Sequence, residues 1–288
     1  MGTVRAAGII VVFVTVTVLC IPFQWLAVRF NLPWKRSFPH RYHRLVCRLI
    51  GARIKVLGEP VQDRGVLMAA NHTGWLDIPI VSAVACVSFV AKSEITTWPF
   101  FGLLAQLQRT IFIHRGERVK AAQDRDQIRE RLIAGDALVI FPEGTSNDGN
   151  RVLGFKSALL SAAELPIGEE GGVARHALVQ PVSIAYVGLH GMPMGRENRP
   201  FFAWYGDMEL VPHLWEAFEL GPIDVVVEFH KPLTVDEAGG RKELAARAEA
   251  AVREGLARAL SGAHLAQPPA RDEELEEALA EEETEEAA

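Results

Sequence analysis

From residue 64 onward the chain alternates short apolar runs with longer stretches of helical period. The apolar, β-branched runs predict strands over residues 66–70, 87–91, 110–114, 137–141, 177–187 and 224–229. Between them, spacing predicts helices over 78–85, 98–106, 119–134, 156–163 and 243–260. This alternation predicts an α/β domain whose mixed β-sheet is flanked by helices. No repeat or Pro/Gly-rich linker interrupts it before residue 262, so residues 58–262 read as one domain.

Upstream the pattern changes. Residues 6–28 carry no charge and lie between Arg5 and Arg29. As a helix they extend about 35 Å, enough to cross a hydrocarbon core of about 30 Å with some tilt. The run exceeds the roughly 7–15-residue core of a signal peptide, and no small-x-small site follows. Residues 1–30 therefore read as an uncleaved N-terminal membrane anchor. A helix lying in one leaflet is the alternative, because Val, Thr and Ile dominate its first half. Residues 29–55 then hold eight Lys/Arg and no acid, which predicts the cytoplasmic face of the inner membrane for all that follows. Phe38, Tyr42, Leu45, Val46 and Leu49 recur at helical spacing with Arg41, Arg44 and Arg48 between them. Residues 31–57 are thus a basic amphipathic interfacial segment suited to anionic lipid; the plainer alternative packs the helix on the domain with its basic face in water.

Composition adds three points. The 288 residues are ample for a single core, and the mean hydropathy of +0.11 reflects the apolar N-terminus. The net charge of −6 is local: residues 266–288 hold ten acids and one basic residue, Arg271, leaving the rest net positive. Residues 263–288 read as an acidic disordered tail. Cys20, Cys47 and Cys86 are scattered without metal spacing, so no metal site is expected. Gly-x-Gly-x-x-Gly, Gly-x4-Gly-Lys-Ser/Thr, Gly-x-Ser-x-Gly and His-Glu-x-x-His are all absent, which argues against nucleotide cofactors, serine esterases and zinc hydrolases.

The candidate chemistry begins at Asn71-His72-Thr73-Gly74-Trp75-Leu76-Asp77, a strand-to-helix junction. On one continuous helix, His72 and Asp77 would point roughly 140° apart. They can meet only if His72 lies in the loop and Asp77 opens the helix, which Gly74 and Pro79 permit. An imidazole held by a buried carboxylate is a general base; the plainer alternative is a histidine that caps the helix or fills the core. Three more stretches fall at strand ends, where α/β folds bind ligands. They are Phe112-Ile113-His114-Arg115-Gly116, then Phe141-Pro142-Glu143-Gly144-Thr145-Ser146 with Gly154-Phe155-Lys156 after it, and Val179-Gln180-Pro181-Val182. Singly, Arg115 reads equally as a surface cation, and Pro181 as the mark of an edge strand or bulge.

In this order and spacing the four blocks resemble the glycerolipid acyltransferase family that includes 1-acylglycerol-3-phosphate acyltransferase, over roughly residues 50–235. The resemblance implies a single acyltransferase domain with His72 as general base and Asp77 orienting it. Arg115, Glu143 and Gly144 would line the acceptor pocket, with Thr145 and Lys156 also binding substrate, and Pro181 would shape the acyl-donor side. It implies no cofactor, since the donor is already an activated thioester on acyl carrier protein or coenzyme A. Amides near Gly74 or Gly144 are the candidates to hold the oxyanion. The expected partners are the bilayer, a lysolipid acceptor and acyl carrier protein, with no nucleic acid. Two positions depart from the phosphatidate-forming branch: Ser146 stands where arginine is usual, and His114 where aspartate is common. The loop from Glu143 to Ser157, with Trp204-Tyr205-Gly206-Asp207-Met208, is similar to bacterial lyso-ornithine lipid acyltransferases, whose acceptor carries a free 3-hydroxyl and no phosphate. Lysophosphatidate acylation, with Arg151 supplying the missing charge, is the alternative acceptor reading, dual activity is a third, and a membrane-anchored scaffold is the non-enzymatic one.

Overall fold

The computed structural model describes residues 2–62, 64–114, 118–170 and 173–263. Arg115 and nearly all of the acidic tail lie outside the described residues.

Strand β2 (Val66–Ala70) is buried along its whole length, as its uninterrupted apolar sequence requires. It lies between β5 (Ala137–Ile140) and β8 (Leu178–Leu189), parallel to both. Beyond β5 come β3 (Val87–Lys92) and β4 (Ile111–Ile113), also parallel. Beyond β8 comes β10 (Ile223–Phe229), antiparallel to it, and then β1 (Arg53–Leu57), parallel to β10. Short β9 (Met192–Pro193) pairs with β8, while β6 (Pro166–Glu170) and β7 (Val173–His176) form a separate hairpin. The sheet is mixed, as expected.

Both faces are covered. Val66, Met68 and Ala70 point into a cluster with residues of α2 (Ser37–Ile50), α3 (Asp77–Val84) and α6 (Leu210–Leu220). Leu67 and Ala69 point the other way, against α5 (Arg118–Ile133) and α8 (Arg241–Leu260). Burying a side chain such as Leu67 or Met68 contributes about 1.5–3 kcal/mol, so β2 is firmly held, and the site begins where it ends.

Three expectations need correction. The helix expected over 98–106 starts later, as α4 (Phe101–Leu107), behind a 3₁₀ turn at Ser93–Thr97. Pro99 holds Trp98 in extended backbone, which keeps one helix from running through. Residues Ser157–Glu164 form a 3₁₀ helix instead of an α-helix. The basic segment over 31–57 is not one unit, because β1 lies inside it and is the sheet's edge. Within α2, Pro39, Val46, Cys47 and Ile50 are buried against the domain while Arg41, Arg44, Leu45 and Arg48 are exposed, so docking and a free basic face coexist.

The apolar N-terminal helix α1 (Gly2–Arg29) is the one helix among the described residues long and apolar enough to cross a membrane. It does not stand away from the domain. Arg5 donates to the Phe218 and Ile50 carbonyls, Thr17 Oγ1 meets Tyr42 Oη at 2.7 Å, and Gln24 Nε2 donates to Leu107 O at 2.8 Å. Ala6, Ile9, Thr17, Gln24 and Ala27 are buried on that side, while Val11, Val18, Leu19, Phe23 and Trp25 are exposed on the other. The helix therefore lies lengthwise on the domain, with one face docked and the other apolar and open.

Candidate active site

Asn71 turns the chain off the sheet. Its side-chain amide pairs with both backbone groups of Ile184, donating to the carbonyl at 2.9 Å and accepting from the N–H at 2.8 Å. His72 follows in the loop and Asp77 is the first residue of α3, the arrangement that five-residue spacing demanded. His72 Nδ1 lies 2.8 Å from Asp77 Oδ2. The same oxygen accepts from Thr73 N at 2.6 Å and Gly74 N at 3.0 Å. Asp77 Oδ1 accepts from Tyr186 Oη at 2.8 Å.

Asp77 is wholly enclosed, yet its charge meets four donors and the amino end of a helix. With Nδ1–H given to Asp77, a neutral His72 carries its free lone pair on Nε2. Its side chain is 22% exposed and its ring stacks on Phe141, centroids 4.0 Å apart. The base is thus open at the nitrogen that matters. Burial, then the Asp77 charge and hydrogen bond, raises the Tyr186 phenol well above its ordinary pKa, so it remains a donor.

The loop after β5 is fastened to the same junction. Glu143 is 2% exposed and accepts from His72 N at 3.1 Å, Asn147 Nδ2 at 2.7 Å and the Leu153 amide. Asn147 N returns a bond to His72 O at 3.1 Å. Burial pushes the Glu143 carboxyl up to about 7, outweighing these three donors. Both of its oxygens are engaged within the protein, so Glu143 clamps the His72 backbone and presents no free carboxylate to a pocket.

Gly144 sits at φ +76°, and a Cβ there would lie 2.8 Å from Lys156 Nζ, so the lysine chain runs over this turn. Thr145 beside it is exposed. Ser146 Oγ donates to Trp204 O at 2.6 Å, and Trp204 N donates to Thr73 O at 2.9 Å. The Trp204 stretch therefore closes over the His72 loop. Pro181 stands apart: it is in register with Ala69, on the sheet face that carries α8. It is neither on an edge strand nor at a bulge. Its carbonyl accepts from His230 N, and Gln180 Nε2 donates to His230 O in place of the N–H that proline lacks. Of the amides near Gly74 and Gly144 expected to hold an oxyanion, those of the two glycines are already used, Gly74 N on Asp77 and Gly144 N on Phe141 O. Arg151, offered as a replacement cation, is exposed.

The structure thus gathers His72, Asp77, Glu143, Gly144, Thr145 and Lys156, while Arg115 lies outside the described residues. Sequence reasoning missed Asn71, Phe141, Asn147 and Tyr186 as parts of the site. Asn147 lay in a stretch already singled out, whereas Tyr186 is one apolar position among many in β8.

Comparison with known proteins places the chain by family and fold. Residues 53–185 match the family model described as Acyltransferase. The chain is 47% identical, over 92% of its length and 98% of the relative's, to the lyso-ornithine lipid O-acyltransferase of Brucella abortus. It is 31% identical, over 67% of its length and 70% of the relative's, to the 1-acyl-sn-glycerol-3-phosphate acyltransferase of Neisseria gonorrhoeae. The crystal structure of the 1-acyl-sn-glycerophosphate acyltransferase of Thermotoga maritima shares the fold at 20% identity, with a TM-score of 0.61 over 90% of this chain and 97% of that one.

Proposed function

The chain belongs to the acyltransferase family and is an enzyme of acyl transfer to lysolipids; from that premise we propose that it acylates the free hydroxyl of lyso-ornithine lipid, giving ornithine lipid. The observation that carries the acceptor is the extent of its likeness to the Brucella abortus enzyme, which runs through nearly the whole of both chains. Ser146 supports it. In the position where the phosphatidate-forming branch carries a guanidinium, this hydroxyl is committed to Trp204 O. A serine so placed offers a phosphate no bidentate partner.

The mechanism follows from the pair. His72 Nε2 takes the acceptor's hydroxyl proton as its oxygen attacks the thioester carbonyl, and Asp77 stabilises the imidazolium. The tetrahedral intermediate then collapses: the carbon–sulfur bond breaks and His72 returns the proton to the departing thiolate. No cofactor is needed, because the donor, carried by acyl carrier protein or coenzyme A, is activated already. Glu143 keeps His72 in place, and Lys156 brings an ammonium to the Gly144 turn as a substrate-binding group.

We read the enzyme as seated on the cytoplasmic face of the inner membrane. The docking of α1 at both ends supports a helix in the plane of one leaflet over one that spans it. A lysolipid costs about 0.8 kcal/mol per CH₂ to lift into water, so a surface-seated site spares that cost.

The test supplies vesicles containing lyso-ornithine lipid or lysophosphatidate with labelled acyl-thioester. Transfer to lyso-ornithine lipid is expected, and transfer to lysophosphatidate alone overturns the acceptor assignment. His72→Ala is expected to cut turnover by about 10²–10⁴-fold with unchanged thermal unfolding; undiminished turnover in that variant removes His72 as the base.

A further inference from the structure

A cavity lies at the opposite end of the sheet from His72. It has a volume of about 410 Å³ and opens where β2, β3 and β5 begin, while His72 and Glu143 follow the ends of β2 and β5. The two ends of β2 with their flanking loops stand about 20 Å apart, so a ligand in this cavity does not meet the reacting atoms.

Its polar lining is strongly cationic. Lys35, Arg36, Arg64 and Arg109 line it, with Asp136 the one acid among the described lining residues. Asp136 is 3% exposed and already shared. Arg36 Nε reaches it at 2.7 Å, Arg109 NH2 at 2.6 Å, and Arg131 Nε also bonds to it. One carboxylate thus faces three guanidiniums, and the Lys35 ammonium stands in the same field. Burial, and then repulsion from Arg109 and Arg36, depresses the Lys35 ammonium; attraction from Asp136 offsets only part of this. Arg109 is depressed by its burial and then by Arg131. A partly buried cluster with such an excess of positive charge is costly, and an anion relieves the cost.

The surroundings bear on the anion's source. Lys35 and Arg36 follow α1 directly, and Phe30 and Trp34 beside them are exposed large aromatics. Aromatic side chains at such a boundary favour the headgroup layer of a membrane. Basic pockets at this level recognise anionic headgroups.

We propose that this cavity is a second ligand site, separate from the catalytic centre, that binds a phosphate group presented at the membrane surface. A lipid phosphodiester and free phosphate share the chemistry, and Arg36, Arg64 and Lys35 are the residues that grip it.

The test measures binding of dihexanoyl-phosphatidylglycerol, dihexanoyl-phosphatidylcholine and inorganic phosphate to the detergent-solubilised full chain by calorimetry. Three proteins are compared: wild type, R36Q/R64Q, and R41Q/R44Q, which removes equal charge from the exposed face of α2. Saturable binding of the anionic lipid over the zwitterionic one, weakened at least about tenfold in R36Q/R64Q but not in R41Q/R44Q, is expected. Equal dependence with inorganic phosphate alone also supports the site and assigns it to a soluble phosphate ligand. No saturable anion binding, no preference for the anionic lipid, or equal loss in both variants overturns the proposal. R64Q alone, at an exposed position outside the Asp136 network, repeats the test if the double variant unfolds. The readout is binding, so its failure leaves the acyl-transfer assignment untouched, and the converse holds as well.

Discussion

Asp77 accepts from His72 Nδ1, Thr73 N, Gly74 N and Tyr186 Oη while wholly enclosed, so each donor removed leaves part of a charge buried without a partner. Tyr186→Phe removes one donor without touching the imidazole. Turnover is expected to fall about tenfold with little change in KM, since the phenol acts through Asp77 and meets no substrate. A shift in the pH–rate profile of Tyr186→Phe, with thermal unfolding lowered by only a few degrees, separates this positioning role from simple loss of packing. Glu143 carries a pH signature of its own. Its folded pKa of about 7 stands above the unfolded value of 4.5, so the folded state binds the extra proton between those values. Stability is therefore fully present below about pH 4.5 and falls as pH rises through 7, by up to a few kcal/mol. Denaturant unfolding of Glu143→Gln is expected to flatten that fall; a fall of unchanged size excludes Glu143 as its source. His72 and Asp77 were legible in the sequence because a loop and a helix start explain their spacing. Tyr186 was not, because its partner lies 109 residues away and nothing in a buried strand singles out one phenol.

At the scale of elements, the strands were legible where burial is complete. β2 reads as an unbroken apolar run and forms as expected, whereas edge strand β1 is Arg-Ile-Lys-Val-Leu and reads as part of a basic segment. The helix α6 was not anticipated; Pro212 lies in its first turn, where proline is tolerated. The segment that carries Trp204 shows what local reading cannot supply. Its likeness to the bacterial enzymes said nothing of its place, yet the fold lays it across the His72 loop, where a Cβ on Gly74 would fall 2.8 Å from Trp204 N and 3.0 Å from its Cβ. Gly74→Ala must therefore push the Trp204 stretch or the loop aside. Overpacking of this kind costs about 1–3 kcal/mol. A lower melting temperature together with reduced turnover is expected, and wild-type values for both would show that the two segments are not in firm contact.

For the whole molecule, the question is how a sheet with a half-buried base meets a lipid, and α1 decides it. The sequence establishes only that this helix is apolar and long enough to span; its docked face, read from Ala6 to Ala27, emerges only once the domain beneath it is folded. Arg5 and Gln24 lie 19 residues apart, nearly 30 Å along a helix, and both bond to the same domain. A helix held at both ends this way keeps both ends on one side of the bilayer, whereas a spanning helix separates them. Thr3, in the first turn of the helix, and Asn31, just past its end, are exposed, so they report the difference directly. With Cys20, Cys47 and Cys86 replaced by alanine, Thr3→Cys and Asn31→Cys are introduced singly, and sealed membrane vesicles of known orientation are treated with an impermeant maleimide. Labelling of both positions from the cytoplasmic side is expected. Labelling of Thr3→Cys only from the opposite side would mean that α1 leaves the domain and crosses the membrane, and the exposed row from Val11 to Trp25 would then face lipid all along a span instead of resting in one leaflet.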